Sequence, residues 1–134
     1  TAAIMEHFRD EAFRTNLDAV NYFHASEEGF PAAYEILKPY IGYVHLKNAC
    51  LYREGAGRPK ENEGAPMSGI YAGRPIQYAP IPDGSVNIAG LVHALKEEGS
   101  YIGTCTLEPH TTPECAEAFY EREIKWLREL NLFK

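Results

Sequence analysis

A basic excess, paired cysteines, long apolar runs and internal repeats are all missing from this chain, and each absence narrows its function. Lys and Arg number 13 against 19 Asp and Glu, for a formal net charge of −6. Neutralising phosphates requires a clustered basic surface, so nucleic-acid binding is disfavoured. Cys50, Cys105 and Cys115 show no C-x-x-C spacing. An odd number of cysteines does not close a disulfide framework, and free thiols in a reducing compartment fit the pattern. No apolar stretch approaches the ~20 residues of a membrane span. The opening Thr1-Ala2-Ala3-Ile4-Met5-Glu6-His7 lacks the charged and apolar regions of a signal peptide. These features predict a soluble, cytoplasmic protein with neither membrane nor nucleic acid as partner. A helical pattern that begins at once behind Thr1 fits a processed or truncated product.

What is present suffices for a packed domain: 134 residues, 45% of them hydrophobic. Ile4, Met5, Phe8 and Phe13 form a loose apolar stripe that predicts an amphipathic helix from Ala2 to about Arg14. A short strand follows at Thr15 to Asp18, then a polar turn at His24 to Gly29. Pro31 opens a helix containing Ala32, Tyr34, Ile36 and Leu37, and Pro39 ends it. Tyr40 to Leu46 reads as a strand buried on both faces. Residues 48–83 are rich in glycine and proline and predict a long loop with one extended piece at Ile76 to Ala79. Loops of that length are usually functional lids or interface arms. Ile88, Leu91, Val92 and Leu95 keep helical spacing up to Gly99. Tyr101 to Leu107 is a third strand. A last helix from Pro113 to Leu130 carries Ala116, Phe119, Tyr120, Ile124, Leu127 and Leu130 as its apolar stripe. This βα repetition predicts an α/β fold with about three parallel strands and flanking helices, which do not close a barrel alone.

Asp18, His45 and Glu108 stand at the ends of the three predicted strands. Two carboxylates and an imidazole suit a divalent metal: Mn²⁺, Mg²⁺, Co²⁺ or Zn²⁺. Each residue also has a plainer explanation. Asp18 could cap a following helix, and His45 lies among apolar neighbours as a core histidine would. Glu108, emerging between Leu107 and Pro109, would need a cation or an arginine to offset its desolvation. A site at the C-terminal ends of several parallel strands is what (β/α)₈ barrels present.

Four segments carry a resemblance. Leu17-Asp18 with Asn21, Tyr43-Val44-His45-Leu46-Lys47-Asn48, Pro82-Asp83-Gly84-Ser85-Val86-Asn87, and Ser100-Tyr101-Ile102-Gly103 with Leu107-Glu108 are similar, in this order, to motifs of the sugar phosphate isomerases and epimerases. That family has the xylose-isomerase-like TIM-barrel fold. The resemblance implies that residues 1–134 form the C-terminal portion of a (β/α)₈ TIM barrel, with the long loop at 48–83. It implies four metal ligands, the last three being Asp18, His45 and Glu108, with a first Glu upstream of Thr1. Asn21 stands where the family usually has His, Asn48 replaces the usual Asp, and the segment between His45 and Glu108 is longer than in the compact sugar epimerases.

The implied activity is a metal-dependent isomerisation or epimerisation of a sugar or sugar derivative through an enediolate. Mn²⁺ is the first candidate, and Glu108 serves as both ligand and base. Asn21, Lys47 and Arg53 are candidate substrate-binding residues, each also readable as a solvated surface group. His24 and His110 lie near the same rim and receive no role. A dehydratase or lyase of the same fold is the enzymatic rival. A non-catalytic barrel fragment or partner subunit is the other. Either way a missing barrel half, a second subunit or a homo-oligomer is expected, to cover open strand edges. An endonuclease of the related repair type would need more ligands and a basic groove.

Overall fold

The computed structural model describes residues 1–8, 10, 12–52, 67–97 and 101–131. The expected α/β arrangement is present, with a three-stranded parallel sheet and flanking helices. Its strands are β1 (Thr15–Asp18), β2 (Ile41–Leu46) and β6 (Cys105–Leu107), in the order β1-β2-β6. The helices are α1 (Ala2–Phe8), α2 (Ala19–His24), α3 (Tyr34–Leu37), α4 (Ile88–Glu97) and α5 (Ala116–Glu129). None of them is long and apolar enough to cross a membrane.

Segment 48–83 departs furthest from expectation. Where one extended piece was predicted, it carries an antiparallel sheet of β3 (Asn48–Leu51), β4 (Met67–Tyr71) and β5 (Arg74–Ala79), in the order β3-β5-β4. Val20 and Phe23 of α2 pack on Ala49, Ile76 and Tyr78 of this sheet. Phe23 stacks on Tyr71 with ring centroids 4.4 Å apart. Of the glycines and prolines that suggested a loop, Gly73 lies in the β4–β5 turn and Pro80 and Pro82 follow β5, whereas Gly69 and Pro75 lie within strands; Gly55, Gly57, Pro59, Gly64 and Pro66 lie outside the described residues. Gly73 holds φ at +76° in the β4–β5 turn, a left-handed conformation that glycine adopts without strain.

The faces of the parallel sheet are unlike each other. Side chains alternate along a strand. Leu17, Val44 and Leu46 therefore point to one side, where they meet Tyr34 and Leu37 of α3 and Ile88, Leu91, Val92 and Leu95 of α4. Burying each α4 side chain contributes roughly 2 kcal/mol. Asn87 caps α4 by accepting the Gly90 amide at 2.9 Å. The other side of β2 is not buried as predicted: Tyr43 is exposed and His45 is half-buried. That polar face carries Asn16, Tyr43, His45 and Thr106, and Tyr43 hydrogen-bonds Thr106 through their hydroxyls.

Three elements shift from their predicted bounds. The first helix stops at Phe8, and only Met5 of its expected stripe is buried. The last strand spans Cys105–Leu107, and ahead of it the Tyr101 hydroxyl donates to the Thr104 carbonyl at 2.6 Å across a bend at Gly103. On α5 the inward positions are Phe119 and Glu123, while Tyr120 and Ile124 are exposed. Trp126 and Leu127 continue the inward face as partly buried neighbours of the core.

Glu123 is 0% exposed, and neither carboxyl oxygen completes a hydrogen bond. Burial pushes its pKa up to about 7, although the Ile81 backbone favours the charged form. Between the unfolded value of 4.5 and this one, the folded chain holds the extra proton. Stability should therefore fall as pH rises through that window and stay lowered above it. Urea unfolding should show about 2 to 3 kcal/mol more loss between pH 5 and pH 8 in the native chain than in Glu123→Met. Equal slopes would show that the side chain titrates normally.

Candidate metal centre

The parallel register assembles the site. Asp18 of β1 lies beside His45 of β2, His45 lies beside Thr106 of β6, and Glu108 follows two residues later on the same side. The Glu108 amide, donating to Leu46 carbonyl oxygen at 3.0 Å, extends this pairing beyond the strand. One donor atom each from Asp18, His45 and Glu108 lies within 4.8 Å of the others. The structure thus brings together the three residues expected as ligands.

Both readings of Asp18 hold at once. Its Oδ1 accepts the amides of Val20 at 3.1 Å and Asn21 at 3.2 Å, capping α2. Its Oδ2 faces the site, 2.7 Å from Lys47 Nζ and 3.8 Å from His45 Nδ1. Although so near the ammonium, this buried oxygen makes no well-directed hydrogen bond.

His45 Nδ1 lies 3.1 Å from Glu108 Oε2 and 3.2 Å from Asn16 Nδ2. Nδ1 has one in-plane position to offer: it accepts from Asn16 when unprotonated, and donates towards the Glu108 carboxylate when it carries the proton. The donor set is hard oxygen with borderline nitrogen, and its inner oxygens already hold a cation in the form of an ammonium. These residues fit a divalent metal.

Lys47, the residue between β2 and β3, is only 4% exposed. Its Nζ lies 2.7 Å from Asp18 Oδ2, 2.8 Å from Glu108 Oε2 and 3.5 Å from His110 Nε2. Burial alone would lower its pKa, but the Asp18 carboxylate beside it and the hydrogen-bonded Glu108 carboxylate outweigh burial and raise it. Partial burial of Glu108 acts upward, but Lys47, followed by His45 and His110, brings its carboxyl below the usual range. Glu108 thus has the cationic partner that its position demanded, and its side chain is 38% exposed instead of buried.

The second sheet supplies a wall that sequence reasoning missed. Tyr78 of β5 stacks against His110 with centroids 4.1 Å apart, and His24 lies 5.5 Å from the same ring. His110 Nε2 is 3.7 Å from Glu108 Oε2. Burial and the nearby Lys47 charge lower the His24 pKa, against the pull of Asp18. His110 carried a readable signal, since it follows Glu108 by two residues in extended chain. Asn16, two before Asp18, carried the same one. Tyr78 carried none, because its strand was hidden in the glycine- and proline-rich segment. Among the expected substrate-binding residues, Lys47 is in the site. The Asn21 side chain is exposed on α2, lining a hollow of about 300 Å³ with Asp18 and Asn16. Arg53 lies outside the described residues.

Asn48 is buried at the start of β3. It is 2% exposed, and its Nδ2 donates to the carbonyls of Ile81 and Val86, both at 2.9 Å. Its Oδ1 accepts the amides of Ala49 at 2.9 Å and Val86 at 3.1 Å. An aspartate could not donate. A Cβ on Gly84 would meet Asn48 Cγ at 1.9 Å, so this turn also needs glycine. Asn48→Asp should destabilise the fold by about 3 kcal/mol or more, measured by urea unfolding at neutral pH. An unchanged midpoint would mean that the amide donors are dispensable.

No family model matches the chain, and neither a curated protein nor a solved structure matches it.

Proposed function

We propose that the chain is part of a (β/α)₈ barrel that acts as a divalent-metal-dependent isomerase or epimerase on a sugar or sugar derivative, through an enediolate. The observation that carries this reading is the convergence of Asp18, His45 and Glu108 within 4.8 Å at the C-terminal ends of three adjacent parallel strands. The four sequence segments that resemble this enzyme family support it, as does the polar sheet face opposite the helices. When bound, the cation, Mn²⁺ first among candidates, supplies Lewis-acid stabilisation of the charge that develops on the carbonyl oxygen.

The protein's own groups divide the remaining work. Asp18, His45 and Glu108 hold the cation. Glu108 is the more exposed carboxylate and takes the proton from the carbon beside the carbonyl. Lys47 donates to a substrate oxygen. Mn²⁺ titration followed by electron paramagnetic resonance should show binding. Asp18→Asn, His45→Gln and Glu108→Gln should each weaken it by more than the ~10- to 100-fold typical of outer-shell partners. Affinities unchanged by all three would overturn the metal reading. On the assembled protein with Mn²⁺ and a panel of ketoses and ketose phosphates in D₂O, deuterium should enter beside the carbonyl. Glu108→Gln should abolish that exchange while retaining the fold. An unsaturated product would identify a lyase, and no reaction on any sugar would favour a non-catalytic subunit.

The barrel reading also requires a partner. β1 and β6 are the edges of the described parallel sheet, and Ile4, Phe8, Phe13 and Ile102 are exposed. Open edges and apolar surface favour association with a second copy, another subunit or further strands of the same barrel. Sedimentation at micromolar concentration should show an assembly larger than 15.0 kDa. A stable monomer would overturn this expectation.

A further inference from the structure

We propose that Lys47 is a resident counter-cation of the metal centre, and that a divalent cation binds Asp18 and Glu108 only by displacing the Lys47 ammonium. This inference rests on the metal reading above and adds how the site is loaded. The oxygens that face His45 Nδ1 are Asp18 Oδ2 and Glu108 Oε2, and both are already in contact with Lys47 Nζ, at 2.7 and 2.8 Å. An ion ligated by those oxygens at ~2.0–2.3 Å would lie within a few ångströms of an unmoved ammonium, and two cations that close in a largely buried pocket repel strongly.

The lysine has somewhere to go. Its Nζ is 5.9 Å from the Tyr78 ring centroid, within the range at which an aromatic face attracts a cation, and His110 Nε2 lies 3.5 Å away on the same wall. Rotation of the terminal side-chain torsions moves the ammonium without disturbing the backbone between the two sheets. The displaced group then faces the space where a substrate oxygen would sit. The exchange makes one ammonium serve first as a placeholder that keeps two carboxylates from facing each other unpaired, and then as a substrate donor. It also predicts discrimination by charge, since a monovalent ion gains nothing by replacing an ammonium of equal charge.

Mn²⁺ titrations of the native chain, Lys47→Met and Lys47→Arg test this. Lys47→Met should bind Mn²⁺ at least about tenfold more tightly than the native chain, because no internal cation competes. Its metal-free melting temperature should fall, and Mn²⁺ should raise that temperature more than it does for the native chain. Lys47→Arg, which keeps the charge, should bind no more tightly than the native chain. Binding by Lys47→Met alone would show that Lys47 blocks the site without yielding to a cation, and would overturn the exchange. Native binding that Lys47→Met leaves equal or weaker would overturn the exchange while leaving the metal centre standing. Absence of binding in every form would overturn both. If Lys47→Met does not fold, the nitrogen-15 resonance of the Lys47 ammonium in the native chain gives the answer. Saturating Zn²⁺ should shift that signal or abolish its protection from solvent. A signal unchanged by bound Zn²⁺ would overturn the exchange, and failure to bind Zn²⁺ would overturn both readings.

Discussion

The ion cluster of Asp18, Lys47 and Glu108 is the constraint on which the rest of the structure depends. Each member comes from the end of a different strand: Asp18 closes β1, Lys47 follows β2 and Glu108 follows β6. An ammonium at 4% exposure is costly unless paired, and two carboxylates within 2.8 Å offset that cost. The cluster therefore ties the C-terminal ends of all three parallel strands together. Removing the lysine would leave two carboxylates without their common partner. Lys47 is also the residue through which the chain passes from the parallel to the antiparallel sheet, so charge pairing and topology fix the same point.

From that point the two sides of the molecule divide. The helix-facing side of the parallel sheet is held by apolar contact among Leu17, Val44, Leu46 and the stripes of α3 and α4. The opposite side is polar and gathers the groups with chemistry. The antiparallel sheet closes one flank of that polar side, with Tyr78 and His110 stacked against each other beside Lys47 and Glu108. Asn48 secures the junction with four hydrogen bonds, so the wall is anchored by backbone as well as by stacking.

Legibility in the sequence followed the physics of each segment. β2 and β6 were readable from short apolar runs, and α4 from its i, i+3, i+4, i+7 spacing, because single elements packed on one core carry their own periodicity. His45 and Glu108 were readable because a polar group in or after an apolar run is conspicuous. The second sheet was not. β3 pairs with β5 far along the chain, and the turn residues of the β4–β5 hairpin look the same in a loop. The face of α5 was misread because Glu123 occupies an inward position that hydrophobic patterning assigns to solvent. The polar side of β2 was misread for a related reason: Tyr43 and His45 count as apolar or neutral in a hydropathy scan, and only the packing of helices on a single side reveals the asymmetry.

The same geometry sets how the two carboxylates differ under the proposed chemistry. Asp18 is 3% exposed, and its Oδ1 is committed to two backbone amides of α2, so reorienting it would uncap a helix. Such a group suits a fixed ligand and is poorly placed to accept a proton from substrate. Glu108 has no such backbone tether on its side chain, is more than ten times as exposed at 38%, and sits on an extended segment after the strand. Lys47 holds its carboxyl below the usual range, which favours the charged form that a base requires but weakens its affinity for a proton. A divalent cation that took the ammonium's place on Oε2 would hold the carboxylate charged in the same way, so the other oxygen, Oε1, would be the one to accept a proton from substrate.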